Sequence, residues 1–283
     1  MRAPELSGRK PGMPPVRVIA ITGGKGGVGK TSVAVNLSLS LVEQGQRVLL
    51  LDTDLGMANA DVLLGLTPSF TLFDVVSGRC SIEETLIEGP HGLLVLPAAS
   101  GRSRMAELKP TEHVGLIHAC SAIDRPLDTL IVDTAAGISD SVLTFSQAAQ
   151  EVLIVVCNEP ASMTDAYALV KVLSQERGVK RVRVLANMIR SDKEGLEILA
   201  KLSRVTERFL DVVMDFAGAI PHDEWLRRAI QRRQAVVDAF PASASSQAFR
   251  ELASQVMRWD FPSAPRGGVE FFVERLLDSG EAA

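Results

Sequence analysis

Tyrosine occurs once in 283 residues, tryptophan twice and cysteine three times. Aromatic side chains make up 5% of the chain, too few for a stacking platform along single-stranded nucleic acid. The cysteines, Cys80, Cys120 and Cys157, are far apart and form no C-x-x-C. Neither a disulfide framework nor a zinc site is indicated, and a reduced, cytoplasmic setting fits. The histidines, His91, His113, His118 and His222, are scattered and form no metal-binding pattern. An excess of positive charge is lacking too: the formal net charge is −4 and the pI about 5.7. Direct, non-specific DNA binding is therefore disfavoured. No apolar run is long enough to cross a bilayer. Residues Met1 to Pro15 are rich in proline, glycine and charge without an apolar stretch, so they read as a flexible arm rather than a signal peptide.

What is present is an ordinary globular composition, 46% hydrophobic and 23% charged, enough to bury a sizeable core. One stretch stands out. Ile19-Ala20-Ile21-Thr22 is an apolar run leading into Gly23-Gly24-Lys25-Gly26-Gly27-Val28-Gly29-Lys30-Thr31-Ser32. Gly24 to Thr31 fits G-x-x-x-x-G-K-[ST], the phosphate-binding loop. Glycines let backbone N–H groups approach a phosphate closely, and the helix that follows adds its own unpaired N–H groups. Lys30 can reach the β- and γ-phosphates of a nucleotide, and the Thr31 hydroxyl can bind Mg²⁺. Lys25 is not required by that pattern.

Buried strands are expected at Val16–Ile21, Val48–Leu51, Leu93–Leu96, Leu127–Val132, Val152–Cys157, Arg181–Ala186 and Phe216–Ile220. Helices are expected at Thr31–Gln44, Thr71–Ser77, Ser81–Leu86, Pro110–Ala122, Thr164–Arg177, Lys193–Phe209, Glu224–Arg233 and Ser246–Trp259. Strands alternate with helices, which predicts an α/β fold: a doubly wound, mostly parallel sheet flanked by helices. The expected organisation is an arm over 1–15, one nucleotide-binding domain over 16–260, and a linker with a C-terminal amphipathic helix over 261–283. That last segment places Phe272, Val273, Leu276 and Leu277 at helical spacing after Val269.

Three carboxylates complete the chemistry. Asp133 ends the apolar run Thr129-Leu130-Ile131-Val132, a Walker B pattern whose carboxylate can hold a water on Mg²⁺. Asp52 and Asp54 leave the end of another strand two residues apart. In an extended segment they point the same way, so one can approach the metal's water shell and the other can orient an attacking water.

Lys25-Gly26-Gly27-Val28-Gly29-Lys30-Thr31 resembles the deviant Walker A motif of the MinD/ParA ATPases. The resemblance covers nearly the whole chain and implies a slow, Mg²⁺-dependent ATPase that forms an ATP-dependent homodimer. It implies that Lys25 reaches the partner's nucleotide, that Asp52 lies on the metal side with Thr31 and Asp133, and that Asp54 positions the water. It also implies that the amide of Asn187 meets adenine and that Pro221, His222 and Asp223 line the base. Asn187 is followed by Met188, Ile189 and Arg190 rather than by a guanine-reading Asn-Lys-x-Asp, which favours ATP over GTP.

Within the family, Asp52-Thr53-Asp54-Leu55-Gly56-Met57-Ala58-Asn59-Ala60-Asp61 looks like the MinD side rather than the ParA side. Pro97 to Gly101, Val132 to Ile138, Asn158-Glu159-Pro160 with Thr164 to Tyr167, and Glu270 to Leu276 after Pro265-Arg266-Gly267 are similar to the FleN/FlhG regulators of flagellar number. That branch implies a flagellar transcription activator of the FleQ type as partner, with the FlhF GTPase as another. Met1 to Pro15 lacks the D-Q-A-x-x-L-R segment with which some members stimulate that GTPase, so restraint of the activator is the better expectation. A terminal amphipathic helix binds membrane in this family, which would place the protein at the inner face of the cytoplasmic membrane. Glu270, Glu274 and Asp278 make this one acidic, which favours docking on the protein's own surface. Both readings stand on sequence.

The alternative roles are spatial regulation of cell division and DNA segregation. The dense cluster Arg227, Arg228, Arg232 and Arg233 would serve DNA binding, although a solvated helix face is the commoner meaning. The absence of paired cysteines counts against iron–sulfur carrier and arsenite-pump relatives, and no substrate pocket for a ligase of the dethiobiotin synthetase type can be read.

Overall fold

The structure is a computed structural model, described here for residues 13–54, 59–98, 108–261 and 265–280. Most of the N-terminal arm, Leu55 to Ala58 and Ala99 to Gly101 lie outside the described residues. Apolar runs that are buried on both faces form the strands, as suits a parallel sheet covered by helices. They are β1 (Arg17–Thr22), β2 (Val48–Asp52), β3 (Ile87–Glu88), β4 (Leu94–Leu96), β5 (Thr129–Asp133), β6 (Glu151–Val156), β7 (Arg181–Ile189) and β8 (Val213–Pro221). Among the described residues they make one eight-stranded sheet in the order β3-β4-β2-β5-β1-β6-β7-β8. Every pairing is parallel except that of the two-residue edge strand β3 with β4.

Alternate residues of each strand serve opposite faces. Ile19, Ile21 and Leu50 pack against helix α1 (Lys30–Glu43) and residues such as Phe249 and Leu252. Val18, Ala20, Leu49 and Leu130 face Leu116, Ile117 and Phe145 on the other side. Between the strands lie α2 (Ala60–Leu63), α3 (Leu72–Val76), α4 (Ile82–Thr85), α5 (Pro110–Ser121), α6 (Asp140–Ala148), α7 (Pro160–Arg177) and α8 (Asp192–Phe209). After β8 come α9 (Glu224–Gln231), α10 (Val236–Ala239), α11 (Ala244–Val256) and α12 (Val273–Gly280). α1 is buried nearly all round because it is sandwiched, and the polar positions on its inner faces are the small Ser32, Ser38 and Ser40 together with Asn36. Its buried Asn36 accepts from the backbone N–H groups of Val236 and Val237 at 2.8 and 3.3 Å, which fixes α10 against it.

Several boundaries differ from expectation. α6 is a helix the sequence reading left out; it buries Val142, Leu143 and Phe145. α7 starts at Pro160 rather than Thr164, with proline in the first turn where its missing N–H costs nothing. β7 runs on through Asn187 to Ile189, because β8 offers a partner as far as Pro221. The C-terminal helix starts at Val273, and the two phenylalanines before it are the anchors: Phe271 and Phe272 are each 1% exposed.

That terminal segment is docked on the domain. The Phe271 N–H donates to Ala148 O at 3.2 Å and the Phe272 N–H to Ser121 Oγ at 2.9 Å. Arg275 donates to Ile123 O at 2.5 Å and to Arg125 O at 3.3 Å. Of the apolar face expected to meet a membrane, Phe272 and Leu276 are buried against the protein, while Leu277 is exposed. No helix among the described residues is long and apolar enough to cross a membrane.

Candidate nucleotide site

The carboxyl ends of β1, β2 and β5 meet at one edge of the sheet, the edge where open α/β sheets bind ligands. The loop from Gly23 to Gly29 runs from β1 into α1 along it. The loop is fixed from behind. A Cβ at Gly24 would lie 2.1 Å from the Asp165 carbonyl oxygen, so no side chain fits. Gly29 caps α1 at φ 91°, and a Cβ there would lie 2.4 Å from Asn187 Nδ2. In front the loop is open: a Cβ at Gly26 or Gly27 would meet nothing within 4 Å. A rigid back and an open front of backbone N–H groups is the shape a phosphate needs.

Lys30 is buried, and its Nζ reaches Lys25 O at 3.4 Å. Burial lowers its pKa, opposed by the carboxylates of Asp133 and Asp54. The Ser32 hydroxyl is buried without a hydrogen-bond partner, on the same first turn as Thr31.

Asp133 stands opposite Asp52 in the β5–β2 register and opposite Ile21 in β1. Its backbone is braced. The Thr53 N–H and hydroxyl both donate to Asp133 O, at 2.8 and 2.9 Å, and the Thr134 N–H donates to Ile21 O at 3.0 Å. Its carboxylate is not: both oxygens are buried with no hydrogen-bond partner. Burial pushes its pKa well above the usual carboxylate range, helped by Asp52 and opposed by Thr31 and Lys30. An orphaned buried carboxylate beside Thr31 is a costly arrangement that a hydrated divalent cation would satisfy. The residues present therefore fit Mg²⁺ bound together with a nucleotide.

Asp52, on the neighbouring strand, is tied to backbone. It is fully buried, and its oxygens accept from the backbone N–H groups of Asp54, Asn59 and Ala60 at 2.9, 3.0 and 3.1 Å. It ties the strand end to the start of α2. Burial raises its pKa to about 7, the three N–H donors opposing the rise. Asp54 is half-buried, just past the strand end.

Lys25 lies at the open side of the loop, 37% exposed, with its Nζ 2.7 Å from Glu159 Oε2. That hydrogen bond raises the lysine's pKa. Glu159 had no site role in the sequence reading; the signal was the Asn158-Glu159-Pro160 segment at the end of β6. The Asn187 amide is engaged by protein: Nδ2 donates to Val28 O at 2.7 Å, and Oδ1 accepts from the Met188 N–H at 3.0 Å. It holds the phosphate loop to β7. Pro221 closes β8, and the His222 N–H donates to Ile189 O at 2.8 Å. Asp223 caps α9 by accepting from the Trp225 N–H at 2.8 Å, and it takes the Ser245 N–H and hydroxyl at 3.0 and 2.8 Å. Its carboxylate thus joins α9 to α11.

A phosphate loop between strand and helix, with an aspartate from the neighbouring strand facing it, defines a P-loop nucleotide-binding protein. The chain belongs to the CobQ/CobB/MinD/ParA nucleotide binding domain family, whose model matches residues 19–236. It is 58% identical over 265 residues to the antiactivator FleN of Pseudomonas aeruginosa, covering 94% of this chain and 95% of that one. The flagellum site-determining protein YlxH of Helicobacter pylori is 30% identical over 265 residues, covering 92% and 90%. Among solved structures, the septum site-determining protein MinD of Pyrococcus horikoshii complexed with Mg-ADP superposes with a TM-score of 0.71 at 28% identity, covering 85% of this chain and 96% of that one.

Proposed function

We propose that the chain is an ATP-dependent, dimerising regulatory ATPase that controls flagellar number or placement by restraining a transcription activator of the FleQ type. The likeness to FleN over nearly the full length of both chains supports the biological role. The observation that carries the switch is Lys25: a second lysine on an otherwise complete phosphate loop, half-exposed at the loop's open side. It stands where it can leave its own chain and neutralise charge on a nucleotide held by another.

Bound Mg²⁺-ATP supplies the phosphoryl group and the counter-charge. Gly24, Lys25, Gly26, Gly27, Val28, Gly29, Lys30, Thr31 and Ser32 form the phosphate cradle. Thr31 and Asp133 hold the cation's shell, with Asp52 behind them fixing the loop. Asp54 orients the attacking water. Asn187, Pro221, His222 and Asp223 border the base, Asn187 and Asp223 by holding backbone in place. Positioning and charge neutralisation are what phosphoryl transfer needs. The protein works in the cytoplasm, and the docked terminal helix argues against a standing membrane anchor.

The test is light scattering with Mg²⁺-ATP. Wild type dimerises, Asp54→Ala traps the dimer, and Lys25→Ala and Lys30→Ala stay monomeric. A wild type that stays monomeric with ATP overturns the switch. Asp54→Ala used as bait in the presence of ATP recovers the flagellar activator; recovery of a division protein, DNA or only the FlhF GTPase reassigns the role.

A further inference from the structure

The helix α9 and the turn after it carry a feature that nucleotide binding does not use. Arg227, Arg228, Arg232 and Arg233 lie within seven positions and are all exposed, on a chain whose net charge is −4. Elsewhere arginines find carboxylates: Arg47 with Asp128, Arg183 with Glu151, Arg250 with Glu43. Here Arg227 makes only a loose 3.9 Å pair with Glu224. Among the described residues, no carboxylate lies within salt-bridge distance of Arg228, Arg232 or Arg233.

Two of the four cations lie over rings. Arg228 sits over Trp225 at 4.9 Å, Trp225 meets Phe240 at 4.6 Å between centroids, and Arg232 sits over Phe240 at 5.3 Å. Stacking orders each guanidinium while its in-plane N–H fork stays available to an acceptor. Trp225 and Ile230 remain 45% and 43% exposed beside them. A second observation comes from Arg233. It occupies the position after the helix cap at φ 55°, where the left-handed backbone favours glycine or asparagine. That backbone closes the helix: the Arg233 N–H donates to Ile230 O at 3.0 Å and the Gln234 N–H to Ala229 O at 3.1 Å, which holds Arg233 at the turn. It borders a cleft of about 430 Å³ together with Arg232, Gly65 and Pro90. One carboxylate, Asp238, also lines that cleft; its Oδ1 is hydrogen-bonded to His91 Nε2 at 3.0 Å, and among the described residues it makes no ion pair with the two arginines.

We infer that the α9 face, from Trp225 to the Arg232–Arg233 cleft, is a docking surface for an acidic segment of a partner protein. Arginine and tryptophan at the centre of a patch, with apolar surface between them, is the composition of protein-binding hot spots. Charge complementarity fixes the occupant as acidic. The exposed Trp225 and Ile230 set apolar surface among the charges, which the side chains of an acidic peptide can cover and a duplex backbone cannot. This goes beyond the proposed switch, because no residue of the surface takes part in the nucleotide site.

The test uses the full chain and three probes: a fluorescent twelve-residue peptide of Asp and Glu around one Phe, a 20-base-pair duplex, and vesicles rich in phosphatidylglycerol. Anisotropy should show salt-sensitive peptide binding. Arg228→Glu, Arg232→Glu and Arg233→Glu together should weaken it at least about tenfold, and Trp225→Ala about fivefold or more. The control pair Arg204→Glu with Arg208→Glu, on α8, should leave it unchanged, and ATP-dependent dimerisation should survive in every variant. Should the triple Glu variant misfold, the Arg→Gln triple replaces it. The inference is overturned if the peptide does not bind, if the α9 variants bind it like wild type, or if these changes abolish duplex or vesicle binding instead.

Discussion

Lys25 and Glu159, 134 positions apart, form an ion pair of 2.7 Å across the mouth of the phosphate loop. The lysine proposed to serve a neighbouring chain is held by its own. The pair is exposed, so it acts as a weak restraint rather than a lock. Glu159→Gln should free Lys25 and lower the ATP concentration for half-maximal dimerisation by about two- to fivefold. Sedimentation velocity across an ATP titration measures this; an unchanged midpoint excludes Glu159 as a competitor for the lysine.

The buried carboxylates Asp133 and Asp52 predict how nucleotide-free protein responds to pH. Both have raised pKa values in the folded chain, Asp52 to about 7, because burial disfavours their charged forms. A raised carboxyl pKa means that the folded state binds protons more readily than the unfolded one, whose aspartates titrate near about 3.9. Stability from these groups is therefore full below about pH 4 and falls as pH rises through about 7. Asp133→Asn should flatten that fall and raise the nucleotide-free melting temperature at pH 8 by about 2–4 °C. The same change should remove the Mg²⁺-dependent increment in nucleotide binding. A mutant less stable than wild type at pH 8 would show that Asp133 is not an uncompensated charge.

How much of the site is legible in the sequence follows from how local each device is. The phosphate loop, Thr31 and Asp133 are strand-end chemistry contained in contiguous runs, and the parallel sheet follows from doubly apolar strands. Glu159 was missed as a partner of Lys25 because only the adjacency of β1 and β6 brings them together. The hold of Asp52 on the start of α2 was not legible, because it requires the chain to turn back at Asn59 and Ala60. The position of Asn187 was legible, but its hold on Val28 was not, since an isolated strand-end amide carries no sign of what faces it. The start of α6 is legible in Ser139 and Asp140 ahead of an apolar run, a signal that lies close behind the Walker B segment.

Asn187 should matter before any nucleotide arrives. Its amide is buried, and it satisfies Val28 O on the loop and the Met188 N–H on the strand. Asn187→Ala leaves both without that partner, a loss of about 1–3 kcal/mol. Asn187→Asp keeps an acceptor for Met188 but sets a buried carboxylate oxygen against Val28 O. Chemical denaturation should therefore rank wild type above Ala above Asp, and both variants should bind ATP more weakly because the loop is less fixed. Full stability with selective loss of ATP over GTP discrimination would instead assign the side chain to the base alone.

The terminal helix offers the sharpest separation of two roles for one segment. Phe271 is buried at 1% exposure and stacks near Phe145 at 6.4 Å between centroids. Arg275 supplies N–H donors to Ile123 O and Arg125 O in the loop that follows α5. A segment so engaged behaves as part of the core, and Phe271→Ala should cost about 3–5 kcal/mol of folding stability. A mobile membrane anchor would contribute almost nothing, so the same substitution would leave the melting temperature unmoved. Measuring that melt beside ATP-dependent vesicle sedimentation decides the matter. Lost stability without sedimentation makes the segment structural, and sedimentation that appears with ATP means the dimer pulls Phe271 and Phe272 out of the core they fill here.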